Sequence, residues 1–229
     1  TKWHDWVRFN QYRLYTSMKE ISELTERWDS KKRPTTANIV YHMAALEGPV
    51  SSPRYGLDLG RAGQSMSIMG VSCYTVEHLY DPAPGYVTAY KLSRLRSASQ
   101  DEKKRTLVLE TGAGPNIRML TEAQRIQTFW HLIAHNAKSI LVWNYRSRLS
   151  DSQVGLFNLM KWDGSISRRA AYIGKFSKVL QDNAKLLNNV FPDKQAAILT
   201  LEDDQIRMEA LCGTYSPLDY PLVHDSRIG

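Results

Sequence analysis

Four apolar runs of strand length, at 37–41, 67–74, 106–110 and 139–145, are separated by stretches long enough to cross back over a sheet. Parallel neighbours need a connection of a dozen or more residues, usually a helix, whereas antiparallel ones need only a tight turn. Strand and helix alternating in this way make an α/β chain with a parallel sheet. Few other folds accept that order.

Residues 3–28 open the chain as an amphipathic helix, with Trp3, Trp6, Val7, Met18, Ile21, Leu24 and Trp28 near helical spacing. Ser30 through Pro34 break it. The first strand is Ala37-Asn38-Ile39-Val40-Tyr41, followed by a polar loop with Pro49 and Pro53. The second runs from Ser67 to Tyr74 and leads to the loop Asp81-Pro82-Ala83-Pro84-Gly85, then to a helix over 86–97. The third runs from Thr106 to Glu110. Thr121 and Gln124 have the spacing of a capping box, opening a helix that buries Ile126, Phe129, Trp130 and Ile133 and closes near Asn136. The fourth strand is Ser139 to Tyr145. A polar excursion then leads to Asp163-Gly164 and a helix ending near Leu187, with Tyr172, Phe176, Val179, Leu180 and Leu187 inward. After Asn188-Asn189 and Pro192 the pattern restarts, with a strand at 196–201 and a helix at 203–211. The expected domains are therefore 1–187 and 188–229, the second only begun.

Hydrophobic content of 42% and charged content of 23% suit a globular protein. No apolar run approaches the roughly 18 residues of a membrane span, and the start lacks the apolar segment of a signal peptide. Cytoplasm is the default expectation for its compartment. Cys73 and Cys212 stand far apart, which argues against a disulfide framework and a cysteine zinc site. The net charge of +7 raises nucleic acid as a partner. Its placement argues against one: Lys31-Lys32-Arg33 and Lys103-Lys104-Arg105 each precede a strand, at the end of a barrel that serves stability.

Glu110 stands at the far end of Leu107-Val108-Leu109 and precedes the loop Thr111-Gly112-Ala113-Gly114-Pro115. A carboxylate at the carboxyl end of a buried strand is where a (β/α)8 barrel keeps catalytic groups. The plainer alternative is a strand-end carboxylate paired with an arginine such as Arg146. A complete barrel takes about 250 residues, so four strands within 187 residues read as its second half, entered after its fourth strand.

Several segments resemble glycoside hydrolase family 42, the β-galactosidases of clan A. Asp5-Trp6-Val7-Arg8-Phe9 resembles the helix after the acid/base loop, and Pro34-Thr35-Thr36-Ala37-Asn38 resembles the family's Pro-Val-Thr-x-Asn strand. Glu110 to Pro115 resembles the nucleophile strand and its loop. Phe129 to Ala137 resembles the helix ending in Ala-His-Gly-Ala, and Tyr145-Arg146 falls where the family has Trp-Arg. Residues 195–211 resemble the start of the trimerisation domain, which implies a trimer.

The resemblance implies a retaining glycosidase acting on terminal β-D-galactosides or related β-glycosides without a cofactor, with Glu110 as nucleophile. Tyr74 would hydrogen-bond that nucleophile, and Arg146 would orient a carboxylate or a hydroxyl. Trp143 and Tyr145, alternating on the last strand, are either an aromatic platform for a sugar or packed core aromatics. The acid/base Glu of the family follows an Asn at the end of strand four. No Asn-Glu pair occurs in this chain, so the resemblance places it upstream of Thr1 and implies a fragment inactive or nearly so alone. Beyond Arg146 the family's Glu-Gln-x-His stretch is replaced by Ser152-Gln153-Val154-Gly155-Leu156. Neutral and apolar groups there would reject the usual hydroxyl pattern. Glu77 and Asp81, in a loop on the same face, could substitute as acids, though nothing in their context fixes them. His131 and His135, at i and i+4, could share a zinc ion but lack an acidic third ligand. The reading from another class is a non-catalytic carbohydrate-binding or assembly protein built on the same barrel.

Overall fold

The chain begins with a long helix, α1 (Lys2–Trp28), whose inward face is Val7, Gln11 and Ser22, spaced at whole turns. This computed structural model describes residues 2–39, 56–74, 84–99, 105–112, 121–146 and 158–193. Val40, Tyr41, Pro49, Pro53, Glu77, Asp81, Pro115, Ser152 to Leu156 and everything from residue 194 on lie outside them. The helix has the expected span but a different inward face. Trp6, Ile21, Leu24 and Trp28 are 48%, 65%, 49% and 80% exposed, because they lie to one side of the Val7–Ser22 line.

Past α1, Asp29 takes hydrogen bonds from the backbone N–H of Lys31 and Arg33 and pairs with the Arg33 guanidinium at 2.9 Å. The hydrogen bonds from Arg33 hold its carboxyl well below the usual range. Lys32, at φ 49°, completes the turn. The run Lys31-Lys32-Arg33 is thus a solvated turn ahead of the first strand, as its position suggests. Ser22 meets Thr35 at 2.6 Å, tying α1 to the strand that follows.

Among the described residues, four parallel strands form one sheet in chain order: β1 (Asn38–Ile39), β2 (Met69–Ser72), β3 (Thr106–Gly112) and β4 (Ala137–Trp143). Between them lie α2 (Leu59–Ser65), α3 (Pro84–Ala98) and α4 (Glu122–Ala134), and after them α5 (Arg168–Asp182) and α6 (Ala184–Asn188). Ile39, Met69, Val71 and Val108 point to the helices and meet Leu92, Leu95, Phe129, Leu132, Ile173 and Phe176 in one core. Side chains alternate across a strand, so Asn38, Gly70 and Ser72 stand on the opposite face. Among the described residues, no helix is long and apolar enough to cross a membrane.

Helix α2 falls where the sequence suggests only a loop. It has seven residues, two of them glycine, and no periodic apolar face; its one signal is Asp58, which caps the N–H of Arg61 at 3.0 Å. At α4 the capping box forms as expected, with Thr121 and Gln124 bonded reciprocally. Phe129 and Leu132 are fully buried on it, while Trp130 is 40% exposed with its edge on Phe176. Asn136 takes a left-handed turn, φ 79°, and the next residue is already strand. This tight entry starts β4 two residues before Ser139 and ends it at Trp143. Tyr145 is therefore outside the strand and 68% exposed, not an alternating partner of Trp143. In α5, Ser167 caps the N-terminus, Phe176 is buried and Val179 is 45% exposed rather than inward. Lys138 donates to the carbonyls of Leu187 and Val190 at 2.7 Å, fastening the start of β4 to the end of α6. Burial, with Arg105 nearby, lowers its pKa.

Gly70 sits under the site. A Cβ there would lie 2.3 Å from Leu109 Cδ1, 2.7 Å from Thr36 Oγ1 and 2.8 Å from the Ala37 carbonyl oxygen. The last contact is backbone and cannot swing away. Gly70→Val is expected to cost about 1–3 kcal/mol, as overpacking does. A urea midpoint unchanged from wild type would show that β1 and β2 are free to separate there.

Candidate active site

The site is built at the carboxyl ends of β1, β2 and β3. Along β2 and β3 the register runs Val71 opposite Val108 and then Ser72 opposite Glu110, so Leu109 is an extra residue. Simple alternation from Val108 would send Glu110 to the helix side. The bulge turns it to the other face, a use to which bulges beside active sites are often put. The ladder resumes at once, with Cys73 N–H donating to the Glu110 carbonyl at 2.8 Å.

On that face the carboxylate is held at both oxygens. Tyr74 donates its phenol O–H to Oε1 at 2.5 Å. Asn38 donates Nδ2–H to Oε2 at 3.1 Å. Ser72 Oγ lies 3.1 Å from Asn38 Oδ1 and 3.5 Å from Glu110 Oε2. A hydroxyl has one proton, and the shorter approach gives it to Asn38. An ionised carboxylate only accepts, so the amide must present its NH2 group to Glu110 and its oxygen to Ser72. The donors to the carboxylate are two neutral groups, the Asn38 amide on β1 and the Tyr74 phenol just past the end of β2. They hold a carboxylate in place without cancelling its charge. The sequence alone does not mark Asn38 and Ser72 as site residues. Asn38 is visible there only as the end of the Pro34–Asn38 segment, and Ser72 gives no signal.

Of the other candidates, Trp143 closes β4 in register with Gly112, on the strand next to that of Glu110. Its peptide bond to Asn144 is cis. Arg146 is exposed and pairs through its backbone with Met160. Among the described residues no ion pair joins it to Glu110, so the strand-end salt bridge is not formed. Tyr145 is likewise not brought to the carboxylate by any hydrogen bond among those residues. Among them, too, no three His, Cys, Asp or Glu side chains are grouped to hold a metal. His135 is disfavoured as a cation by burial first, then by His131 and Arg96.

No protein-family model matches the sequence, and no curated protein matches it. Solved structures do. The fold is similar to that of Gan42B, a GH42 β-galactosidase from G. stearothermophilus, at TM-score 0.73 and 16% identity over 90% of this chain and 30% of that one. The β-galactosidase from Rahnella sp. R3 gives TM-score 0.72 and 16% identity over 89% of this chain and 29% of that one. The β-galactosidase from Marinomonas ef1 gives 0.62 and 12% over 79% and 29%. The chain thus spans less than a third of the length of these structures. At such identities the likeness is one of fold: the sheet β1–β4 with its helices matches part of the (β/α)8 barrel of these structures.

Proposed function

We propose that this chain contributes the nucleophile half of the active site of a retaining β-glycosidase. The observation that carries the reading is the carboxylate of Glu110, clasped by Tyr74 and Asn38 at the carboxyl ends of parallel strands. In a barrel of this fold that end is the catalytic one. Glu110 attacks the anomeric carbon and the leaving oxygen departs, giving a glycosyl-enzyme that water then hydrolyses with retention. Its partner in a retaining enzyme is an acid/base carboxylate about 5–5.5 Å away, for which this chain offers no Asn-Glu pair. Substrates are terminal β-D-galactosides or related β-glycosides. Trp143 provides an apolar face at the next strand end, and Tyr145 and Arg146, which follow it in the chain, are further substrate contacts. Residues 1–187 form the barrel half and 188–229 open a trimerisation-like domain, so the working unit is a homo-oligomer.

A 2-deoxy-2-fluoro β-galactosyl or β-glucosyl dinitrophenolate tests this directly, because its leaving group departs with little help from an acid. Peptide mapping after incubation is expected to find the sugar on Glu110. Circular dichroism on the same sample checks folding; a folded chain left unlabelled would overturn the reading.

A further inference from the structure

The clasp on Glu110 has two ends, and only the Tyr74 end belongs to the expected pattern. A single hydrogen bond to Oε1 leaves the carboxylate free to rotate about Cγ–Cδ. A second donor on Oε2, from a different strand, fixes its plane. We propose that Asn38 is a positioning residue for the nucleophile, and that Ser72 holds Asn38 in the rotamer that does this. The inference rests on the glycosidase reading of the same site.

Two features single out Asn38. It lies on β1, two strands from Glu110, yet reaches Oε2 at 3.1 Å, across Ser72 on the strand between. Its amide oxygen takes the Ser72 hydroxyl at 3.1 Å, so the amide cannot turn over without losing that bond and facing one oxygen to another. The hold on the two oxygens is also unequal. Oε1 is bound closely by a phenol, while Oε2 receives one longer bond from a neutral amide and keeps a lone pair for attack. Oε2 is therefore the attacking oxygen, and Asn38 sets its direction. Asn38 is exposed and contributes nothing to the core, so its exchange should leave the fold intact.

The test is the kinetics of labelling by the same fluorosugar reagent, resolved into a dissociation constant and a first-order rate constant for glycosylation. Asn38→Ala is expected to slow the first-order step by roughly ten- to a hundredfold, the scale of a nucleophile displaced by a fraction of an ångström, with the dissociation constant unchanged. Asn38→Asp keeps the size but sets a carboxylate against Oε2, and is expected to slow the step further. Ser72→Ala should give a smaller loss that Ser72→Thr, which restores the hydroxyl, repairs. A second readout needs no chemistry: the side-chain amide protons of Asn38 in a nitrogen–proton NMR spectrum should shift in Glu110→Ala. Equal labelling rates in wild type and Asn38→Ala overturn the proposal while leaving the glycosidase reading in place, as do amide protons that stay put. An unlabelled wild type removes both.

Discussion

Glu110→Ala is expected to abolish release of dinitrophenolate from a 2,4-dinitrophenyl β-glycoside, by at least about a thousandfold, as loss of a covalent nucleophile does. The substrate is chosen because its leaving group needs no proton, so no general acid is on trial. Added azide should then restore release in the alanine variant, entering the space left by the carboxylate. Because it attacks from the same side as Glu110, the product is an α-glycosyl azide, inverted relative to the substrate. A β-azide or no azide adduct, with turnover in the variant equal to wild type, would show that Glu110 is a structural carboxylate. The clasp makes this a demanding test. Tyr74 and Asn38 are neutral donors that remain folded around the gap, so the variant should lose chemistry and keep its shape.

Much of this site is legible in the amino-acid sequence, and for definite reasons. Glu110 stands out because an apolar triplet leads to it and a Gly/Pro-containing segment follows, two signals of a nearby strand end, although β3 runs two residues farther, through Thr111 to Gly112. Thr121 and Gln124 are legible because a capping box is local. Tyr74 can be placed at the end of a strand but not aimed, since its contact with Glu110 spans 36 residues. The bulge at Leu109 leaves no mark in the sequence. Without it, alternation from Val108 points the carboxylate the wrong way, and strand register between distant segments decides the matter. Tyr145 is misplaced by its sequence for a related reason: the left-handed Asn136 sets where β4 begins, and a shift of two residues there moves the far end out of the sheet. On α1 the apolar stripe is too wide to show which part faces the core, and Gln11 and Ser22 take inward positions that hydrophobicity alone would not assign.

Phe129→Ala is expected to be the most destabilising change in the core, and its cost separates fold from site. Phe129 is 1% exposed, its ring 5.5 Å from that of Phe176, in the core shared by α4, α5 and the helix-facing side of β3. Emptying such a site costs about 3–5 kcal/mol, a large part of the roughly 5–15 kcal/mol typical of a domain. The urea midpoint should fall with the slope unchanged, and the melting temperature by about 10 °C. Val108 faces this core, but the bulge at Leu109 puts Glu110 on the other side of the same strand. Well below its melting point, Phe129→Ala should therefore take up the fluorosugar label at the wild-type rate. Glu110→Ala should show the converse, a stable chain with no label. If Phe129→Ala slowed labelling in the cold, where the chain is still folded, the two faces of β3 would be coupled, and the packing behind the sheet would be part of what aims the carboxylate.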